Sequence, residues 1–253
     1  MQEAFIILVA IAASLLTLVS GFGLGTLMLP VFALFFPLEV AVGMTAVVHL
    51  LNNFFKFALM YRHVDAKVLL WFGVPGILGA WAGAKLLLEL GRGRMLYMGV
   101  RQGVDGLDLV IAVLMVLFAI TELLPHLAQF SFKPKYLVPG GMISGFFGGL
   151  SGHQGALRTM FLLRAGLSKE AFIGTGIAIA ILIDLTRIPV YMQGLPAGIW
   201  QDRGLFLAGV TLASFLGAYL GKRWITKITF RSVQMIVGAF MLLISALLVT
   251  GVI

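Results

Sequence analysis

Eight long apolar stretches restrict what this chain can fold into. A helix needs about 20 apolar residues to cross the hydrocarbon core of a bilayer, and these stretches have about that length or more. The chain is 60% hydrophobic and 11% charged, whereas soluble domains carry roughly 25% charged residues. We therefore predict an all-α, polytopic integral membrane protein whose environment is the lipid bilayer. The stretches cover, approximately, residues 4–36, 40–61, 68–90, 107–124, 136–163, 170–193, 204–222 and 232–252.

Glycine clusters interrupt the first and fifth stretches. The first contains Ser20-Gly21-Phe22-Gly23-Leu24-Gly25 and is closed by Pro30, and the fifth contains Gly148-Gly149-Leu150-Ser151-Gly152. Both stretches are long for one simple crossing, and glycine disfavours a continuous helix. We expect each to be a broken helix or a hairpin-like re-entrant segment.

Lysine and arginine residues occupy the short gaps between the apolar stretches, and the formal net charge is +8. This is the positive-inside pattern of membrane proteins, so we do not expect a nucleic-acid partner. If all eight stretches cross once, residues 91–106, 164–169 and 222–231 are cytoplasmic and both termini lie outside. If the first and fifth stretches double back, residues 91–106 change sides, and both arrangements stay open.

The second half of the chain is similar to the first. Residues 79–85 match residues 217–223, and residues 91–106 form an insertion in the first half. We predict two related membrane repeats of four segments each, 1–124 and 136–253. Secondary transporters built from such repeats bind substrate near the midplane, between the repeats. A shift of 131 residues places Ser20-Gly21 on Ser151-Gly152, Val42-Gly43 on Ile173-Gly174, Asn53 on Asp184, and Lys56 on Arg187.

These features resemble the sulfite exporter TauE/SafE family of membrane transporters. The resemblance rests on residues 20–25 followed by Pro30, on the two four-segment halves, and on the Gly-Ala-aromatic-x-Gly motif at 79–83 and 217–221. It covers essentially the whole chain. It implies a multi-pass protein of a bacterial inner membrane that exports sulfite, sulfonates or related small acids. The chain departs from the family pattern at its second signature, where Ser151-Gly152-His153-Gln154-Gly155-Ala156-Leu157-Arg158 is polar and Phe161 replaces proline.

Polar and ionisable residues inside the apolar stretches are the candidate binding residues, because each charge costs roughly 2.5–3.5 kcal/mol at a helix centre on insertion scales. If stretch 40–61 is a helix, its candidates share one face of that helix. Asp184 and Arg187 likewise share one face of the helix predicted for stretch 170–193. The candidates of stretch 40–61 are His49, Asn52, Asn53 and Lys56. An anion would suit broken-helix N-termini, and the planar donor fork of Arg158 matches an oxyanion. A histidine could also bind a coupling proton. The predicted set is Arg158, His153, Gln154, Asn53, Lys56, His49, Asn52, Asp184, Arg187, Gly21, Gly23 and Gly152.

Structural roles are alternatives for several of these residues. Asp184 and Arg187, one turn apart, could neutralise each other, and Lys56 could extend to the lipid headgroups. The glycines could serve helix packing. The clustering of His153, Gln154 and Arg158 beside a helix break is harder to explain by packing, so Arg158 is our main predicted anion ligand.

Two other functions are alternatives to a carrier. Gly149-Leu150-Ser151-Gly152 with His49 and Asn53 is similar to the serine and histidine motifs of rhomboid proteases, but a base histidine from a later helix is absent. A passive anion channel is the second alternative. We predict no enzyme activity and no cofactor. We also predict no metal site, since cysteine is absent and the four histidines lack close ligand spacing. The oligomeric state stays open, with a homodimer as one alternative.

Overall fold

A computed structural model describes residues 2–20, 23–124, 130–195, 203–224 and 230–253. The fold is all-α and polytopic, as predicted. Among the described residues, four helices are long and apolar enough to cross a membrane: Leu38–His63, Ala66–Gly91, Gly106–Leu123 and Lys169–Gly194. The helices are α1 (Gln2–Ser20), α2 (Gly25–Ala33), α3 (Leu38–Met60), α4 (Ala66–Gly91, with a π-helical turn at Leu69–Gly73), α5 (Gly106–Leu123), α6 (Leu137–Ser151), α7 (Gly155–Leu162), α8 (Lys169–Gly194), α9 (Gly204–Trp224) and α10 (Phe230–Val249).

The first apolar stretch folds back on itself. After α1, the shorter α2 returns along it, so that the Phe35 ring meets the Phe5 ring with centroids 6.1 Å apart. Pro30 does not close this stretch as expected. It lies inside α2, which continues to Ala33, and Pro37 precedes α3. A helix tolerates proline at the cost of one backbone hydrogen bond.

The fifth stretch makes a second hairpin of the same kind. Gly152 ends α6 in the left-handed conformation (φ 79°), which costs glycine nothing and turns the chain. Helix α7 then runs back along α6, because the Phe132 N–H donates to Met160 O at 3.0 Å and the Phe161 ring contacts Gly140. Both glycine-broken stretches are therefore helical hairpins, in which the second helix runs back along the first.

The remaining six segments run from one end of the molecule to the other. At the terminal end, Arg203 Nη1 lies 3.1 Å from Glu3 Oε1. At the opposite end, the Asp65 N–H donates to Thr175 Oγ1 at 2.8 Å, and Arg231 Nη2 donates to Leu123 O at 2.7 Å. Of the two arrangements left open above, these contacts correspond to the doubled-back one.

Residues 91–106 lie at the terminal end, not on the side of residues 164–168. They form a small antiparallel hairpin of β1 (Tyr97–Met98) and β2 (Gly103–Val104), with Tyr97 opposite Val104. This hairpin binds the C-terminal backbone: the Val100 N–H donates to Thr250 O at 2.8 Å, and the Tyr97 hydroxyl donates to Val249 O. The insertion therefore fixes the end of α10.

Glycines allow the closest helix contacts, as membrane helices use small residues for close packing. A Cβ at Gly79 or Gly83 of α4 would overlap the carbonyl oxygen of Met142 or Phe146 in α6. A Cβ at Gly217 of α9 would overlap the carbonyl oxygen of Ile11 in α1. The long arm of each hairpin is thus held by a helix from the other half of the chain.

Candidate functional site

The tips of the two hairpins meet inside the protein. A Cβ at Gly25, the first residue of α2, would lie 3.5 Å from Gly152 O at the end of α6. Gly23, at the same tip, lies against α3, since a Cβ there would lie 3.0 Å from His49 Nε2. Two predicted glycines, Gly23 and Gly152, therefore lie at this junction. Gly21 lies outside the described residues.

A buried charged network stands beside the tips. His49 Nδ1 lies 2.6 Å from Asp184 Oδ2, and Arg187 donates from Nε to Asp184 Oδ1 at 2.9 Å. Asp184 and Arg187 have no exposed surface, and His49 is 4% exposed. Helices α3 and α8 are thus joined by a histidine–aspartate–arginine network that no residue spacing could indicate.

Arg187 also fixes the second hairpin. Its Nη1 donates to Gly148 O at 2.7 Å, and the Tyr191 hydroxyl donates to Gly149 O. A Cβ at Gly152 would lie 3.1 Å from Arg187 Nη1, so glycine is needed for this approach. Asp184 and Arg187 therefore have internal partners, and their structural interpretation fits the geometry better than direct anion binding.

The two neighbouring asparagines of α3 differ in direction. Asn53 Nδ2 lies 3.2 Å from both ring nitrogens of His49 and belongs to the network. Asn52 Nδ2 instead donates to Ser14 Oγ of α1 at 3.4 Å. Asn52 is therefore directed toward α1, away from the partner that Asn53 contacts.

Two basic side chains, one on α3 and one on α7, are close enough to repel each other. Lys56 of α3 is 9% exposed and within electrostatic range of Arg158 of α7. Arg158 Nη1 is buried without a hydrogen-bond partner, and its Nε would lie 3.4 Å from a Cβ at Gly176 of α8. In the part of the chain that the structure describes, no carboxylate oxygen lies within 4.0 Å of either basic group.

The linker between α6 and α7 adds unpartnered polar groups. Both amide atoms of the Gln154 side chain are buried without a hydrogen-bond partner, as is His153 Nε2. His153 Nδ1 lies 3.2 Å from Ser151 Oγ, and its ring stacks on Phe118 with centroids 5.3 Å apart. A buried polar group without a partner costs about 1–3 kcal/mol. These atoms are therefore candidates to bind a polar solute.

Sequence reasoning missed two neighbours of the site. Phe118 of α5 had no signal, since it is one apolar residue in an apolar helix. Thr45 of α3 is buried with Oγ1 unpartnered, and it precedes His49 by one helical turn. Extending the polar face of α3 by one turn would have included it.

The comparisons with known proteins identify the family. No curated protein and no solved structure matches the chain. The family model described as "Sulfite exporter TauE/SafE" matches residues 6–248, nearly the whole chain. Its members are membrane transporters, so the serine-protease alternative is wrong. The chain therefore belongs to the sulfite exporter TauE/SafE family, as a multi-pass membrane transporter of small anions.

Proposed function

We propose that this protein is a secondary transporter of a small sulfur oxyanion or organosulfonate, and that Arg158 and Lys56 bind the anion. One observation carries the proposal: buried Lys56 and half-buried Arg158 are close enough to repel each other, and among the described residues neither has a carboxylate oxygen within 4.0 Å. Asp184 acts on Arg158 only from a longer distance, and it is already paired with His49 and Arg187. Like charges in a weakly polar interior repel, and burying an unpaired charge is costly. A bound anion removes both costs.

The two halves differ in charge at one pair of corresponding positions. In the second half, Asp184 pairs with Arg187. The corresponding positions of the first half hold Asn53 and Lys56, so this lysine has no carboxylate one turn before it. The substrate would supply the negative charge that the first half lacks.

Further polar groups lie just before the start of α7. Gln154, one helical turn before Arg158, and His153 have buried polar atoms without a hydrogen-bond partner. Helix α7 begins at Gly155 without a side-chain cap, and the first N–H groups of a helix carry a partial positive charge that suits anions. Arginine at the second turn of α7 would hold two oxygens of a sulfonate or sulfite with its planar fork.

The helix arrangement supports alternating access around this site. Helix α1 begins at the terminal end of the molecule and α6 begins at the opposite end, which is the relation expected for inverted repeats. The contacts of Gly79 with Met142 and of Gly217 with Ile11 pair corresponding positions of residues 1–124 and 136–253. We propose that these segments are the two repeats, with the anion near the membrane midplane between them.

The basic residues suggest the orientation. Helix α10 begins at the end opposite the termini, where Arg231 donates to Leu123 O. Other basic residues at this end are Arg62, Lys67, Lys133, Lys135, Arg164 and Lys169. The terminal end carries fewer basic residues, notably Arg92, Arg94, Arg101 and Arg203. By the positive-inside rule, we propose that the termini lie outside the cytoplasm, in the inner membrane of a bacterium.

A thermal-shift screen of the purified protein tests the proposal. Sulfite, methanesulfonate, thiosulfate, sulfate and acetate are compared, and a bound anion should raise the apparent melting temperature with concentration. Stabilisation by a sulfur oxyanion but not by acetate is expected. Equal melting temperatures with all five anions would contradict it. A second experiment separates a carrier from a channel. If the anion that stabilises the protein shows saturable flux and counterflow in proteoliposomes, the channel alternative is excluded.

A further inference from the structure

We propose that His49 takes up a proton when the anion binds, so that anion and proton occupy the transporter together. This inference rests on the proposed anion site and adds a second bound species to it. It stands on the position of His49, which joins the charged network of α8 to the tip of the first hairpin.

The two ring nitrogens of His49 share Asn53 Nδ2, which lies 3.2 Å from each, but they differ in their other neighbours. Nδ1 lies 2.6 Å from Asp184 Oδ2, and an ionised carboxylate only accepts, so Nδ1 carries the hydrogen. This leaves Nε2 with a lone pair. Nε2 faces Gly23, where a side chain would lie 3.0 Å away, and Asn53 Nδ2 at 3.2 Å. A side-chain amide has both a donor and an acceptor, so Asn53 can serve either protonation state of Nε2.

The charge balance links the proton to the anion. Asp184 and Arg187 neutralise each other, so the network is neutral while His49 is neutral. A proton on Nε2 adds one positive charge to a network that already contains Arg187, and Lys56 lies two helical turns further along the same face of α3. That extra charge is unfavourable in the empty transporter and favourable once an anion is bound. Coupling of this kind is reciprocal: the anion favours the proton, and the proton favours the anion.

Other ionisable groups near His49 are less available for this proton. On α8, Asp184 is held by Arg187, and Tyr191 donates to Gly149 O. On α3 and α7, Lys56 and Arg158 are cations already. Within the described part of the first hairpin, the only ionisable side chain is Glu3, at the terminal end.

His153 is the remaining candidate. It lies in the linker between α6 and α7, where its Nδ1 contacts Ser151 Oγ and its ring stacks on Phe118. It has no carboxylate partner to stabilise an imidazolium among the described residues. His49 has Asp184 for this purpose, which is why the proton is assigned to His49.

Calorimetry in two buffers tests the inference. Methanesulfonate and thiosulfate, which stay ionised near pH 7, are titrated into the purified protein in Tris and in bis-Tris. These cationic buffers do not compete for an anion site, and their ionisation enthalpies differ. A proton taken up on binding therefore makes the measured heat depend on the buffer. We expect uptake of up to one proton per anion.

Variants assign the proton. The His49→Gln variant should bind the anion with a dissociation constant within about tenfold of the wild-type value, but without proton uptake. If this variant does not fold, His49→Asn is used in its place. His63→Gln, at an exposed histidine just after α3, is the matched control and should behave as wild type. Anion binding with buffer-independent heat, or undiminished uptake in the His49 variant, would overturn the inference alone. No heat from either anion would contradict the proposed anion site itself.

Discussion

Replacing Arg158 by glutamine separates a binding role from a structural one. Arg158 Nη1 is buried without a protein partner, and the nearby Lys56 repels its charge. Removing this guanidinium should not destabilise the empty transporter, since no internal ion pair is broken. The melting temperature without anion should therefore stay equal or rise, while anion binding becomes weaker.

The size of the loss follows from the contacts that an anion would make. A hydrogen bond to a charged group contributes about 1.5–3 kcal/mol, and about 1.4 kcal/mol corresponds to a tenfold change in affinity. Arg158→Gln should therefore weaken binding roughly ten- to hundredfold. Calorimetry with the anion that stabilises the wild type most would measure the change.

Arg187→Gln is the matched comparison, because Arg187 donates to Asp184 and Gly148, whereas Arg158 has no side-chain hydrogen bond among the described residues. Breaking a buried ion pair costs about 3–5 kcal/mol, which lowers the melting temperature by on the order of 10 °C in a chain of this size. If Arg158→Gln lowered the melting temperature as much as Arg187→Gln, or if it bound the anion normally, the assignment of Arg158 to the anion site would be wrong.

Three further predictions concern the charge of the anion site, the packing of α4 on α6, and the membrane topology. Asn53→Asp should weaken anion binding about tenfold in calorimetry, because a carboxylate there neutralises one of the two cations. Unchanged affinity would show that the positive charge of Lys56 and Arg158 does not drive anion binding. Gly79→Ala should abolish a monodisperse peak in size-exclusion chromatography, since its Cβ overlaps a backbone oxygen, whereas Gly204→Ala, with nothing within 4 Å, should elute as wild type. The chain has no cysteine, so Arg101→Cys and Arg164→Cys can be labelled singly with an impermeant maleimide in intact cells. We expect labelling of the first alone, and equal labelling would contradict the re-entrant arrangement.

Segment positions could be predicted closely from the sequence, while segment paths could not. The stretch 40–61 corresponds to α3 (Leu38–Met60), and 170–193 corresponds to α8 (Lys169–Gly194), because hydropathy over about 20 residues directly reports contact with lipid. Glycines at 148–152 predicted a break in the fifth stretch. They did not predict the direction that follows it, since glycine permits many backbone angles.

The same limit applies to the candidate site. Helical spacing placed His49 and Asn53 on one face of α3, and these two side chains do contact each other. It also placed Asn52 there, but Asn52 contacts Ser14 of α1. The pairing of His49 with Asp184 joins residues 135 positions apart. Local periodicity carries no information about such a contact, which depends on how α3 and α8 cross.

The glycine contacts between the halves have a consequence for biosynthesis. Helix α1 is synthesised before α9, but the residue that packs on Ile11 of α1 is Gly217 of α9. The first hairpin must therefore wait in the bilayer, incompletely packed, until α9 is inserted. A chain that stops after residue 124 would expose the glycine-lined faces of α4 to lipid. We therefore expect neither half to pack completely without the other.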